Sequence, residues 1–220
     1  GSASPGASNY VNTYTGPVIN EVLARNRSAV TNFGDAADYI ELINTNATAY
    51  SLAGMSLSVN SPEPGQFDFP ITASIPANGH LVLWCDSSRE PAFAGGSGNN
   101  TGRSLDGESG GVYLFNSQGQ LVNSVEYGFQ ITDRPIGLSG GQWRLLASAT
   151  PGTANSGPAA LATNSVLRIN EWMANPVSGS DWFELFNATN LPVELSGLYL
   201  TDDPSNAGQR QFRVAPLSFL

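Results

Sequence analysis

Apolar residues come in short runs, interrupted roughly every 8–15 residues by clusters of Gly, Pro, Ser, Asn and Thr. No long window repeats with the 3.6-residue period of an amphipathic helix, so the pattern predicts an all-β chain. Candidate strands are Val18–Ala24, Asp38–Asn44, Met55–Val59, His80–Asp86, Val112–Asn116, Leu121–Tyr127 and Gln142–Leu146. Alternation is clearest in His80-Leu81-Val82-Leu83-Trp84-Cys85, and Ser117-Gln118-Gly119-Gln120 reads as a hairpin connection. About seven strands in about 140 residues predict a sandwich or a barrel.

Sliding the chain along itself exposes a repeat that changes the domain count. Ile19-Asn20-Glu21 recurs as Ile169-Asn170-Glu171, and Asp38-Tyr39-Ile40-Glu41-Leu42-Ile43-Asn44 as Asp181-Trp182-Phe183-Glu184-Leu185-Phe186-Asn187. The register then holds through Leu52–Leu57 against Leu195–Leu200. Two domains of one kind are expected in tandem, the second incomplete. The expected layout is an N-terminal linker over 1–15, a sandwich over 16–156, a linker over 157–165 and a partial second domain over 166–220. Thr150–Pro158 is turn-rich and uncharged, of linker type. The half-domain would leave an apolar face and strand edges uncovered. It is expected to be a truncation or, alternatively, a half completed by another chain. The opening Gly1-Ser2-Ala3, without Met, suits an excised or processed start.

Charge narrows the function. Among 220 residues there are 18 acids and 9 bases, a net charge of −9. All the bases are arginines and they are scattered, so no nucleic-acid partner is expected, because phosphate neutralisation needs clustered cations. Without lysine, Schiff-base chemistry and the lysine of a nucleotide loop are excluded. One cysteine, Cys85, and one histidine, His80, permit neither an intrachain disulfide nor a Cys/His zinc site. No apolar run approaches the roughly 18–20 residues of a membrane span, so membrane insertion is not expected.

Several segments, in order, resemble the lamin tail domain family. They are Val18-Ile19-Asn20-Glu21-Val22, Tyr39–Asn44, Phe67-Asp68-Phe69-Pro70, Ile75–Gly79 before His80–Trp84, the hairpin Val112–Tyr127, and the closing Ser148–Asn155, which is similar to the end of bacterial members. The resemblance implies an immunoglobulin-like β-sandwich and a non-catalytic module that mediates interactions or spaces other domains. It marks Asn20, Glu21, Glu41, Asn44 and Trp84, with Asn170, Glu171, Glu184 and Asn187, as structural motif positions. The chromatin contacts of nuclear members are not carried over, given the missing lysines.

Candidate chemistry is sparse, and no catalytic residue is assigned. Gly107-Glu108-Ser109-Gly110-Gly111 mimics a serine-protease nucleophile segment, but the only histidine lies 29 residues upstream within a strand pattern, so the segment reads as a turn into Val112. His80 reads as a polar residue on an exposed strand face, and Cys85 as small apolar packing. Glu21 and Glu41 stand on strands expected to be neighbours, and paired carboxylates serve glycosidases. Their recurrence in both copies favours a structural polar network, with Arg144 as a candidate counter-charge at the sheet edge. Asp181, Asp202 and Asp203, in and before Asp202-Asp203-Pro204-Ser205-Asn206, are weak calcium candidates, as are Asp106 and Glu108. No other cofactor is expected. Asn26, Asn46, Asn99 and Asn187 lie in Asn-x-Ser/Thr patterns.

The expected function is an interaction or adhesion module of a larger secreted or cell-surface bacterial protein. It would meet protein or surface polysaccharide through loops at Asn26–Ala37, Asn60–Phe67 and Ser87–Leu105, with the Gly95–Asn100 stretch mobile. The alternatives are the substrate-targeting region of an extracellular hydrolase or nuclease whose catalytic domain lies elsewhere in the parent chain, and a passive spacer.

Overall fold

The computed structural model describes residues 14–203, 205 and 208–220. Most of the expected N-terminal linker, and Pro204 and Asn206 of the calcium candidate, lie outside the described residues. The strands are β1 (Val18–Leu23), β2 (Asp38–Ile43), β3 (Tyr50–Ser51), β4 (Ser56–Val59), β5 (Phe67–Asp68), β6 (Ser74–Ile75), β7 (His80–Cys85), β8 (Ala92–Phe93), β9 (Asn99–Asn100), β10 (Gly110–Phe115), β11 (Leu121–Tyr127), β12 (Ile136–Ser139), β13 (Gln142–Leu145), β14 (Leu167–Met173), β15 (Trp182–Asn187), β16 (Tyr199–Leu200) and β17 (Phe212–Arg213). Among the described residues, helix is confined to the 3-10 turns Gly96–Gly98 and Asn164–Val166, and no helix is long and apolar enough to cross a membrane.

A seven-stranded sheet, β13-β12-β1-β2-β7-β9-β8, faces a four-stranded sheet, β11-β10-β4-β5. Side chains alternate across each strand, so one set from each sheet meets in the middle. Ile19, Val22, Ile40, Leu42, Leu83, Cys85 and Ile136 come from the first sheet, and Leu57, Phe67, Val112, Leu114, Val125 and Tyr127 from the second. Each fully buried Leu or Ile here contributes about 1.5–3 kcal/mol relative to exposure. The chain is an all-β, immunoglobulin-like sandwich.

The first sheet is not bare on its other side. Leu23, Ala37, Tyr39 and Trp84 form a second buried cluster there, with Val30, Val82 and Ala149 packed on it. The stretch around Thr150 therefore covers a sheet and does not act as a free linker. Residues beyond it are tied at both ends. Ala147 N–H donates to Gly157 O, and Ala159 N–H to Leu145 O. Farther on, Ala162 N–H donates to Pro192 O.

The C-terminal part repeats the pairing of the first. Ile169 opposes Leu185, and Glu171 opposes Glu184 across a bulge, just as Ile19 opposes Leu42 and Glu21 opposes Glu41. Leu200 opposes Phe212 as Leu57 opposes Phe67. The backbone bond from Val214 N–H to Leu198 O matches that from Phe69 N–H to Met55 O, and the Glu194–Phe219 bridge matches the Ser51–Ser74 pair. Its end is anchored on the first sandwich: Phe219 N–H donates to Phe129 O, Gly128 N–H to Pro216 O, and Gln130 Nε2 to Leu217 O at 2.7 Å. Phe219 is 1% exposed and belongs to the main core. A Cβ at Gly128 would stand 2.0 Å from Ser218 Oγ, so this close approach requires glycine.

Candidate functional site

The paired carboxylates are placed by a β-bulge. Between Ile19 and Glu21 the register of β1 against β2 shifts by one residue. Ile19 and Val22 then both face the core, while Asn20 and Glu21 both serve the outer face beside Glu41. Glu21 and Glu41 are each 0% exposed.

Two carboxyl groups in so dry a position must have all their oxygens engaged. Glu21 Oε1 accepts from Tyr39 O–H and from Thr150 N–H at 3.0 Å, and its Oε2 accepts from Thr150 Oγ1 at 2.6 Å. Glu41 Oε1 accepts from Asn20 Nδ2 at 2.6 Å and is 2.8 Å from His80 Nδ1, while its Oε2 accepts from Gly152 N–H at 2.6 Å. Asn155 closes the set, donating to Asn20 O at 3.1 Å and Leu138 O at 2.9 Å and accepting from Asn20 Nδ2 at 2.7 Å. Residues 150–155 thus form a strap lying across the first sheet. Gly137 lies under it, where a Cβ would meet Asn155 Nδ2 at 2.9 Å and Asn20 O at 3.0 Å.

Burial raises the pKa of Glu21. Hydrogen bonds from Thr150 and Tyr39 pull it back, and the Glu41 charge adds to the rise. Tyr39 is driven well above its ordinary value by burial and by Glu21, so it remains a donor. A glycosidase pair needs a sugar and a water between its carboxyl groups. Here the strap occupies that side and every carboxylate oxygen has a protein donor, so this pair is shaped for holding the sandwich together.

Two expectations are corrected. Arg144 donates to Gln142 and does not reach the carboxylates; the ring beside them is that of His80, which points onto the same covered face instead of a solvent-facing one. Sequence reasoning placed Glu21 and Glu41 together but missed Tyr39, His80, Thr150, Gly152 and Asn155 as their partners. The closing Thr150–Asn155 motif was the available signal.

The second copy places its corresponding residues in water. Asn170 Nδ2 donates to Glu184, and Asn170, Glu171 and Glu184 are all exposed. Asn44 and Asn187 act alike, stapling the turn after their strands: Asn44 Nδ2 donates to Thr48 O and Ile75 O, and Asn187 Nδ2 to Leu191 O and Leu220 O. Trp84 stacks edge-on against Tyr39 at 5.7 Å.

The loops following β1, β4 and β7 gather at one end, the β4 loop through Asn60 Nδ2, which donates to Ser104 O at 3.5 Å. Asn32 Nδ2 donates to Ser97 O at 3.1 Å, Arg89 reaches Asp35 at 3.4 Å, and Ser87 and Ser104 hydroxyls are 2.8 Å apart. Arg89 also lies over the exposed Phe33 ring, 4.7 Å from its centroid. In the glycine run Gly95 N–H donates to Asn99 Oδ1, and the buried Asn100 beside it donates to Asp86 O and Arg89 O. The Asn99 side chain is likewise buried, so its glycosylation pattern is closed in the folded protein.

Two acids at this end carry shifted pKa values. Desolvation tends to raise Asp133, but hydrogen bonds from Ser28 and from the backbone of Arg27, Ser28 and Ala29 win and hold it near 2. Asp38 goes the other way. Burial pushes it to about 6 despite backbone bonds from Asn26 and Leu105. An acid whose folded pKa lies above its unfolded value favours folding below the unfolded value, and that advantage is lost as pH rises through the folded pKa. Asp38→Asn is therefore expected to remove part of a fall in stability between pH 4 and 6, read as a flatter plot of urea midpoint against pH. Asp38 and Cys85 line one polar recess of about 220 Å³, and Cys85 is pushed to about 12 by burial and stays a thiol.

The remaining candidates are dispersed. Ser109 N–H and Glu108 N–H turn back onto Asp106, while His80 is committed to Glu41, so no nucleophile–base pair forms at Ser109. Asp181 and Asp202 line one groove, and Asp203 accepts from Ser205 N–H at 2.8 Å. Among the described residues no group of three or more His, Cys, Asp or Glu side chains is arranged to hold a metal ion.

The family model described as Lamin Tail Domain matches residues 11–129, more than half of the 220. No curated protein matches the chain. The matched stretch stops short of β12 and β13, which complete the first sheet, and of the strap that lies across it.

Proposed function

Because the chain belongs to the lamin tail domain family, we propose that it is a non-catalytic interaction module of a larger secreted or cell-surface bacterial protein. Protein or surface polysaccharide would be met by the loops after β1, β4 and β7. The observation that supports this most is the interlocked rim at Asn32, Asp35, Arg89 and Ser97, which presents Phe33 at 64% exposure on a rigid sandwich. An aromatic ring backed by a guanidinium is suited to stacking on a sugar face or an apolar side chain. Low charge density and abundant small polar residues fit an extracellular surface. The incomplete C-terminal copy belongs to the same reading, as part of a second module of this kind.

Co-sedimentation of the chain with insoluble cell-envelope and polysaccharide material tests the proposal, with calcium and with EDTA. The expected result is saturable pelleting that falls at least tenfold in Phe33→Ala/Arg89→Ala. Protein that stays in the supernatant under every condition would instead support a spacer.

A further inference from the structure

The turn that displays Phe33 is costlier than its shape requires. Asn32 N–H donates to Asp35 O at 2.8 Å and Asp35 N–H to Asn32 O at 3.1 Å, which closes a two-residue hairpin over Phe33 and Gly34. With φ at 54° and 92° both central residues are left-handed, the type I′ arrangement that favours Asn-Gly. Among the described residues, five non-glycine residues have positive φ. Asn60, Asn78 and Asp133 are of the types that tolerate it, and Leu217 packs its side chain against the main core. Phe33 is neither tolerant nor packed, being aromatic and 64% exposed. The same turn buries Asn32 Oδ1 without a hydrogen-bond donor. Costs of this kind gather at ligand clamps.

What surrounds the ring selects the ligand. The Arg89 guanidinium, 4.7 Å from the ring centroid, is held by Asp86 Oδ2 at 3.2 Å and Asp35 Oδ2 at 3.4 Å. Its charge is thus matched by two carboxylates, which disfavours an anionic partner. Asp35 and Asp86 also line the polar recess of about 220 Å³, together with Ser88 and Ser104. The Asp35 side chain is 71% exposed and keeps acceptor capacity. An apolar side chain stacked on Phe33 would cover these acceptors and hydroxyls with nothing to bond them. A neutral sugar offers both surfaces at once, an apolar ring face for Phe33 and a rim of hydroxyls for the carboxylates and serines. The recess is smaller than the roughly 300–1,000 Å³ of sites that enclose a whole ligand, so it takes the edge of one ring.

We propose that Phe33, Arg89 and the adjacent recess bind one residue of a neutral polysaccharide, with the sugar face on the Phe33 ring and a pair of vicinal hydroxyls on Asp35. This rests on the rim being a binding surface and narrows its partner to carbohydrate.

The test presents the intact chain with three preparations of insoluble cell-envelope material in the co-sedimentation assay: untreated, digested with protease, and oxidised with periodate, which cleaves vicinal diols. Pelleting is expected to survive protease and to fall at least tenfold after periodate. Loss with protease, or survival of periodate, would overturn the sugar while leaving the rim as a binding surface; no pelleting onto untreated material would overturn both. Phe33→Asn supplies the structural arm. It should cut pelleting onto protease-digested material at least tenfold while raising Tm by about 2–4 °C, because asparagine suits a left-handed turn position. Phe33→Trp should pellet at least as well as the parent, since a larger ring keeps the platform. A Phe33→Asn chain that melts below the parent would make the ring a structural prop, and one that still pellets would take it out of the site; either result overturns the proposal.

Discussion

Glu41→Ala is expected to lower the unfolding free energy of the sandwich by about 3–5 kcal/mol, whereas the matching Glu184→Ala stays within about 0.5 kcal/mol. The first substitution removes the partner of Asn20 Nδ2 and His80 Nδ1, beneath the strap, and of Gly152 N–H, within it. A buried donor left unpaired costs about 1–3 kcal/mol, and the neighbouring Glu21 would remain buried in a site that has lost order. Glu184 occupies the same register in water, so its removal strands nothing. Urea denaturation of both variants at pH 7 checks the pair. Equal costs would mean that the network is not what holds the strap. Glu41→Gln should fall between them, because an amide keeps one accepting oxygen but turns a donor towards Asn20, His80 or Gly152.

Phe219→Ala should also cost about 3–5 kcal/mol, the range for emptying a fully buried aromatic site. The effect would be felt at both ends of the contact. The main core loses a ring that it shares with residues more than 70 positions earlier, and the segment around Ala215–Leu220 loses its anchor against Gly128 and Gln130. Limited proteolysis is the second readout, with cleavage between β15 and Leu220 rising in the variant. If stability were unchanged while cleavage rose, docking of the segment would be separable from the core. Gly128→Val should imitate the variant from the other side of the contact, since any Cβ there collides with Ser218.

The seven strands expected from alternation all form, with ends matching to within two residues. β12 was missed because Ile136-Gly137-Leu138-Ser139 is short and carries a glycine, and that glycine is needed for the strap to lie close. The side-by-side glutamates were legible because repetition fixed both strands. What covers them was not. The donors that seal them include the backbone N–H groups of Thr150 and Gly152, which every residue except proline carries, so composition there speaks of a turn and is silent about its target. Phe219 shows a different failure. The repeat equates it with Ser74, an exposed residue, and periodicity within one copy cannot foresee a side chain entering the core of another.

The strap also sets a timetable. Thr150 lies 129 residues after Glu21, so at about 5–20 residues per second a ribosome delivers it roughly 6–26 s later. During that interval β1 and β2 exist as nascent chain with both carboxylates hydrated, and closing the outer face would force them into a dry site without donors. Vectorial synthesis therefore favours a hairpin that waits, solvated and reversible, until the turn at Thr150-Pro151-Gly152 emerges from the exit tunnel and locks it.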